Sequence, residues 1–109
     1  MICTYRVTLE GKKGFFRLYK INTDSTLYAF HKQLQSDLEF ALDQPILFKS
    51  LDAAGGVVAR YALVDLGCGT VDDVTVDAAI KAGSASFLYF YDVKSKRYVI
   101  ITLEGEPEP

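Results

Sequence analysis

The sequence predicts an α+β domain, an antiparallel-rich sheet of about five to six strands with one main helix packed on a face and one short helix, in a roll-like two-layer arrangement. Three observations predict it. Apolar and polar residues alternate in paired runs separated by short turn-forming stretches, which is the pattern of hairpins. Only one long stretch repeats its apolar residues at helical spacing. The chain has 109 residues, half of them apolar, enough for one core but short for the crossovers that parallel strands need.

Each element has its own signal. Cys3, Tyr5, Val7 and Leu9 alternate with Thr4, Arg6, Thr8 and Glu10, so the first strand has one buried face. Gly11-Lys12-Lys13-Gly14 supplies a turn, and Phe15 to Ile21 returns beside the first strand. Asn22-Thr23-Asp24-Ser25 offers N-cap oxygens to a helix on which Leu27, Phe30, His31, Leu34 and Leu38 share a face. Pro45 cannot continue that helix. Ile46 to Leu51 reads as a strand, Asp52 to Gly56 as a loop, and Val57 to Leu66 as the returning strand of a second hairpin. Val76 to Ala82, capped by Thr75 and stopped at Gly83, is the short helix. Phe87 to Tyr91 and Tyr98 to Leu103 carry large apolar groups on both faces and are expected at the sheet centre. Residues 1–105 then form a single domain, and Glu106-Pro107-Glu108-Pro109 reads as a disordered tail.

Composition removes several function classes. A net charge of −2 provides no global positive field for nucleic acid or an anionic membrane. No apolar run approaches the roughly 20 residues of a bilayer span, and the first residues carry no leader pattern, so a cytoplasmic protein without membrane contact is expected. Cys3 and Cys68 are the two cysteines. Their separation suggests neither a disulfide framework nor a zinc site, but two buried thiols. The single histidine, His31, lies on the apolar helical face, where a hydrogen-bonded core residue is expected. It leaves no base for a Ser-His-Asp or Cys-His arrangement. Charge is segregated, however: Met1 to Ser36 holds six basic against two acidic residues, and Asp37 to Ser86 eight acidic against three basic.

One local motif announces chemistry. Asp65-Leu66-Gly67-Cys68-Gly69-Thr70 follows an apolar run and resembles the first motif of methyltransferases that use S-adenosylmethionine, whose glycines pass beneath the cofactor. The resemblance implies a cofactor site at Asp65, Gly67 and Gly69, with Asp92 as the acid on the ribose. Three features oppose it. Val71 stands where a third glycine is needed, Asp72 and Asp73 delay the helix, and the flanking segments read as hairpins. The motif is therefore expected to be a strand-to-helix connector, with no cofactor.

A longer resemblance spans most of the chain. Tyr5-Arg6-Val7-Thr8-Leu9, Ser25 to Gln35, Phe87-Leu88-Tyr89-Phe90-Tyr91-Asp92 and Ile101-Thr102-Leu103-Glu104 resemble, in order and spacing, the plasmid pRiA4b ORF-3-like family. The closing hairpin is degraded: Val93-Lys94-Ser95, Arg97 and Val99 stand where that family has F-G-D, tryptophan and histidine. The resemblance implies an α+β domain of undefined activity, with some relatives associated with mobile elements. Transposase chemistry is not implied, because Asp72, Asp73 and Asp77 read as helix-start charges rather than a metal set.

The functional expectation is a non-catalytic binding or adaptor domain acting on protein, a second copy of the chain included. No residue is assigned a catalytic or metal-binding role. Partner-binding candidates are Lys12, Lys13, Arg17, Lys94, Lys96 and Arg97 at the hairpin tips. With Tyr89, Tyr91 and Tyr98 nearby, the same residues define the alternative, a nucleic-acid-binding module. A methyltransferase-like fragment is the third reading.

Overall fold

The computed structural model describes residues 1–9, 14–42 and 44–109. In chain order these form β1 (Ile2–Leu9), β2 (Phe16–Asn22), α1 (Leu27–Asp37), β3 (Leu47–Leu51), β4 (Val57–Ala62), α2 (Val76–Lys81), β5 (Ser86–Asp92) and β6 (Arg97–Glu108). The strands make one sheet in the order β2-β1-β6-β5-β3-β4. Every neighbouring pair is antiparallel. This is the α+β arrangement the alternation predicts, with one main and one short helix, and β5 and β6 stand at the centre.

The alternation decides which side of the sheet is covered. Cys3, Tyr5 and Val7 of β1 are buried, as are Val99 and Ile101 of β6, Phe87 and Tyr89 of β5, Phe48 of β3 and Tyr61 of β4. Leu27, Phe30 and Leu34 of α1 and Val76 and Ala79 of α2 join the same cluster. Both helices therefore lie on one face. Phe30 is central: its ring centroid lies 5.4 Å from Tyr5, 6.0 Å from Tyr19 and 6.2 Å from Phe48. Such close, tilted aromatic pairs add to the burial of each ring.

The two helix starts are laced together. Thr26 Oγ1 accepts from the Ala29 amide at 3.1 Å and Thr75 Oγ1 from the Ala78 amide at 3.1 Å. Leu27 N donates to Val74 O, Tyr28 N to Val71 O and Val76 N to Ser25 O, each at 2.9 Å. Amides that an isolated helix start leaves without partners are thus satisfied by the segment that follows the glycine turn. At the other end, Phe40 N bonds Gln35 O at 3.1 Å across Glu39, whose φ is 56°. This left-handed closure ends α1 before Pro45 can.

Four expectations are corrected. The cap of α1 is Thr26, because Asn22 and Thr23 are engaged elsewhere: Asn22 Oδ1 accepts from the Asp24 amide and Thr23 Oγ1 donates to Met1 O. β4 stops at Ala62 rather than Leu66, because the next residues are drawn into a turn around Asp65. Cys3 is buried but Cys68 is exposed. Finally, β6 runs on through Glu108 with Glu108 opposite Ile2. A register shift between Ile2 and Thr4 and a positive φ of 67° at Gly105 let the acidic end rejoin the sheet.

Replacing Phe30 with Ala is expected to cost about 3–5 kcal/mol, read as a lower denaturant midpoint, because it empties the centre of the aromatic cluster. The Ser50 hydroxyl is fully buried and finds no hydrogen-bond partner among the described residues. Ser50→Ala should consequently leave stability unchanged or raise it by about 1 kcal/mol in the same measurement.

Candidate interaction surfaces

The glycine turn serves its own chain. Asp65 Oδ1 accepts from the Gly67 amide at 2.7 Å and the Gly69 amide at 3.1 Å. These amides are the donors a phosphate or cofactor oxygen would use, and here the carboxylate occupies them. Bonding to Gly67 and then Gly69 holds the Asp65 carboxyl below its usual range. Both glycines have positive φ, 110° and 93°, so neither position suits another residue. After the turn, Val71 N donates to Ala62 O at 2.9 Å, and the Val71 side chain is fully buried. The branched residue that departs from the methyltransferase pattern is a core residue. β4 and β5 do not pair, since β3 stands between them. Asp92 likewise closes its own hairpin, accepting from the Ser95 amide at 3.1 Å.

Of the basic candidates, Lys12 and Lys13 lie outside the described residues. Arg17 is on the edge strand β2, its guanidinium 4.8 Å from the Phe15 ring centroid. Lys94, Lys96 and Arg97 are exposed at the β5–β6 tip. Because β1 runs antiparallel to both β2 and β6, the start of β2 and this tip share one end of the sheet. Two adjacent clefts there have Glu39 and Phe40 in common. One adds Arg17 and Asp37, and the other adds Arg97 and Asp92. Carboxylates thus alternate with the arginines, which dilutes the field that would hold a phosphate backbone. Phe40 stacks on Tyr91 at 3.9 Å and 7° between them.

His31 is a core residue, as its position on the apolar face predicts. Its Nδ1 lies 2.6 Å from Tyr89 Oη. Burial, and then the nearby Lys32 charge, pushes the imidazole below its usual range, while burial pushes the Tyr89 phenol up. Both are therefore neutral at pH 7. Among the described residues, no three His, Cys, Asp or Glu side chains gather to hold a metal ion, and no helix is long and apolar enough to cross a membrane.

The remaining surfaces are the uncovered face and the two edges of the sheet. On the uncovered face Phe16, Leu18 and Ile2 are exposed, and Leu47, Leu88, Phe90, Tyr98 and Ile100 are half-buried. At the β4 edge an open apolar cleft of about 440 Å³ is lined by Leu42, Pro45, Ile46, Leu63 and Val64 among others. At the β2 edge two adjoining clefts run between the strand and α1, sharing Lys20 and Gln33. Their other wall is Ser25, just before the cap of α1, and Ala29, Gln33 and Asp37 of the helix. The spacing of four along that wall is visible in the sequence, but that it borders an edge strand is not.

Backbone polarity at each edge follows from single bonds. Thr23 N donates to Met1 O at 2.8 Å, so the odd positions of β2 bond β1 and the backbone groups of Phe16, Leu18 and Lys20 point outward. On β4, Ala62 O is turned outward to Val71 N, which places Arg60 outward as well.

No protein-family model and no curated protein matches the chain. Among solved structures, it is similar to the crystal structure of a protein of unknown function, MM3350 from Methanosarcina mazei Go1, with a TM-score of 0.76 and 16% identity. The match covers 99% of this chain and 62% of that one, so the two share a fold and this chain spans about 62% of the other's length.

The His31 environment has a measurable consequence. With its folded pKa lowered, protonation favours the unfolded chain once pH drops below the ordinary histidine value of about 6.5. Denaturant midpoints are expected to fall between pH 7.5 and pH 5.5 for the natural chain. His31→Gln should flatten that slope.

Proposed function

We propose that this chain is a non-catalytic interaction domain that binds protein through its sheet edges, and that it works in the cytoplasm. One observation carries the reading: both edges present outward backbone donors and acceptors beside an uncovered, partly apolar face. Such an edge accepts a further strand, whose main chain supplies affinity and whose alternate side chains supply selectivity. The two features of the sequence that suggest chemistry are engaged within the chain, Asp65 by its own turn and His31 by Tyr89. The resemblance to the pRiA4b ORF-3-like family, with its association with mobile elements, belongs to this proposal as the setting in which such an adaptor would act. A nucleic-acid module is the second reading, supported by the shared position of Arg17, Lys94, Lys96 and Arg97 at one end of the sheet.

The test is retention of a discrete protein from cell lysate on the immobilised chain, before and after nuclease treatment. Proline at an outward position removes one edge donor without disturbing the bonds inside the sheet. Leu18→Pro or Arg60→Pro is expected to abolish retention by its own edge. Retention lost to nuclease would favour the second reading, and retention unchanged in both variants would refute edge binding.

A further inference from the structure

We propose that β2 pairs antiparallel with β2 of a second copy of this chain, about a two-fold axis at Leu18, joining two six-stranded sheets into one. The proposal rests on the interaction reading and names the partner of one edge.

The β2 edge fits its own copy. With the axis at Leu18, outward backbone groups meet in register: Leu18 faces Leu18, and Phe16, whose carbonyl would exchange its 3.3 Å bond from the exposed Arg17 Nη1 for one from the second copy, faces Lys20. On the uncovered face, Leu18 and Phe16 are exposed apolar side chains, with the Arg6 guanidinium 4.9 Å from the Phe16 ring centroid. The pairing would set leucine against leucine and the lysine's aliphatic stem against the part of the Phe16 ring that Arg6 leaves open. On the helical side, Arg17 of one copy falls opposite Tyr19 of the other. Tyr19 lies beside Asp37, whose charge, after burial, pushes the Tyr19 phenol up to about 12. Arg17 makes no ion pair within 4.0 Å among the described residues, although it and Asp37 line the same open cleft of about 410 Å³. The guanidinium of one copy thereby meets the carboxylate of the other. The short side chains of Ser25 and Ala29 leave room for α1 of the second copy.

Neighbouring registers are worse. An axis at Lys20 sets lysine against lysine, one at Arg17 sets arginine against arginine, and one at Tyr19 sets Arg17 against the buried Ile21. The β4 edge is unsuited to self-pairing: Val71 occupies its last outward carbonyl, and Lys49 and Arg60 sit side by side across β3 and β4. A two-fold pairing there would bring like charges together. The contact at β2 is closed and isologous, so it forms a dimer and not a fibre.

Sedimentation equilibrium of the full chain, from about 5 to about 500 μM, tests the proposal in the range of small reversible interfaces. The expected result is a mass approaching two chains at the upper end. Leu18→Pro should remain monomeric with an unchanged circular dichroism spectrum, and Arg60→Pro should dimerise as before. In a Cys68→Ser background, Leu18→Cys should oxidise to a linked dimer, since opposed bonded positions lie about 5.5 Å apart. Lys20→Cys should not, its two copies being displaced by about 13 Å along the strands. If Leu18→Pro is unfolded, the two cysteine variants decide. A monomer at every concentration, a dimer that survives Leu18→Pro, or equal cross-linking at both positions would overturn the pairing. A monomer that still retains a lysate protein would overturn it while leaving the interaction reading intact.

Discussion

Phe30 is the residue on which the architecture turns. A six-stranded sheet that receives one eleven-residue helix has little to bury against, and the helix meets it through one large ring set among Tyr5, Tyr19 and Phe48. Those three belong to the neighbouring strands β1 and β2 and to β3, which β6 and β5 separate from them in the sheet. One side chain therefore ties both wings of the sheet to the helix. Because the apolar positions of both helices are spent on this face, none remains for the other, and the uncovered face and free edges follow from the same shortage.

The glycine turn finds its place within that constraint. The segment from Val71 to Thr75 must return from the β4 edge to the start of α1, where Val71 O and Val74 O receive the Tyr28 and Leu27 amides. A reversal in so few residues requires positive φ, and Gly67 and Gly69 supply it while Asp65 gathers their amides. The turn thus serves the helix start. Its likeness to a cofactor loop arises because both tasks need glycine and a nearby acid to shape tight backbone.

Much of this was legible in the chain. Alternation at Cys3, Tyr5 and Val7, the Leu27-Phe30-Leu34 face and the Thr75 cap each identify their element correctly, because local periodicity reports which side of an element must leave water. His31 too was placed by its position on that face, though its partner Tyr89 was not. Boundaries were read less well where a distant group intervened. Thr26 caps α1 only because its neighbours are engaged with Met1 and Asp24, and the acidic end joins the sheet only because β1 offers it an edge. Cys68 was expected inside and lies outside, since a turn held by Asp65 keeps it in solvent.

The sequence by itself determined the fold class, the hairpin pairs, the two helices and the central position of the two most apolar strands, all of which depend on spacing along the chain. Only the tertiary structure decided which strands are edges, which backbone groups they leave unpaired and which arginines stand beside carboxylates. These depend on the order in which hairpins assemble around Phe30, a matter of long-range packing that no local pattern encodes.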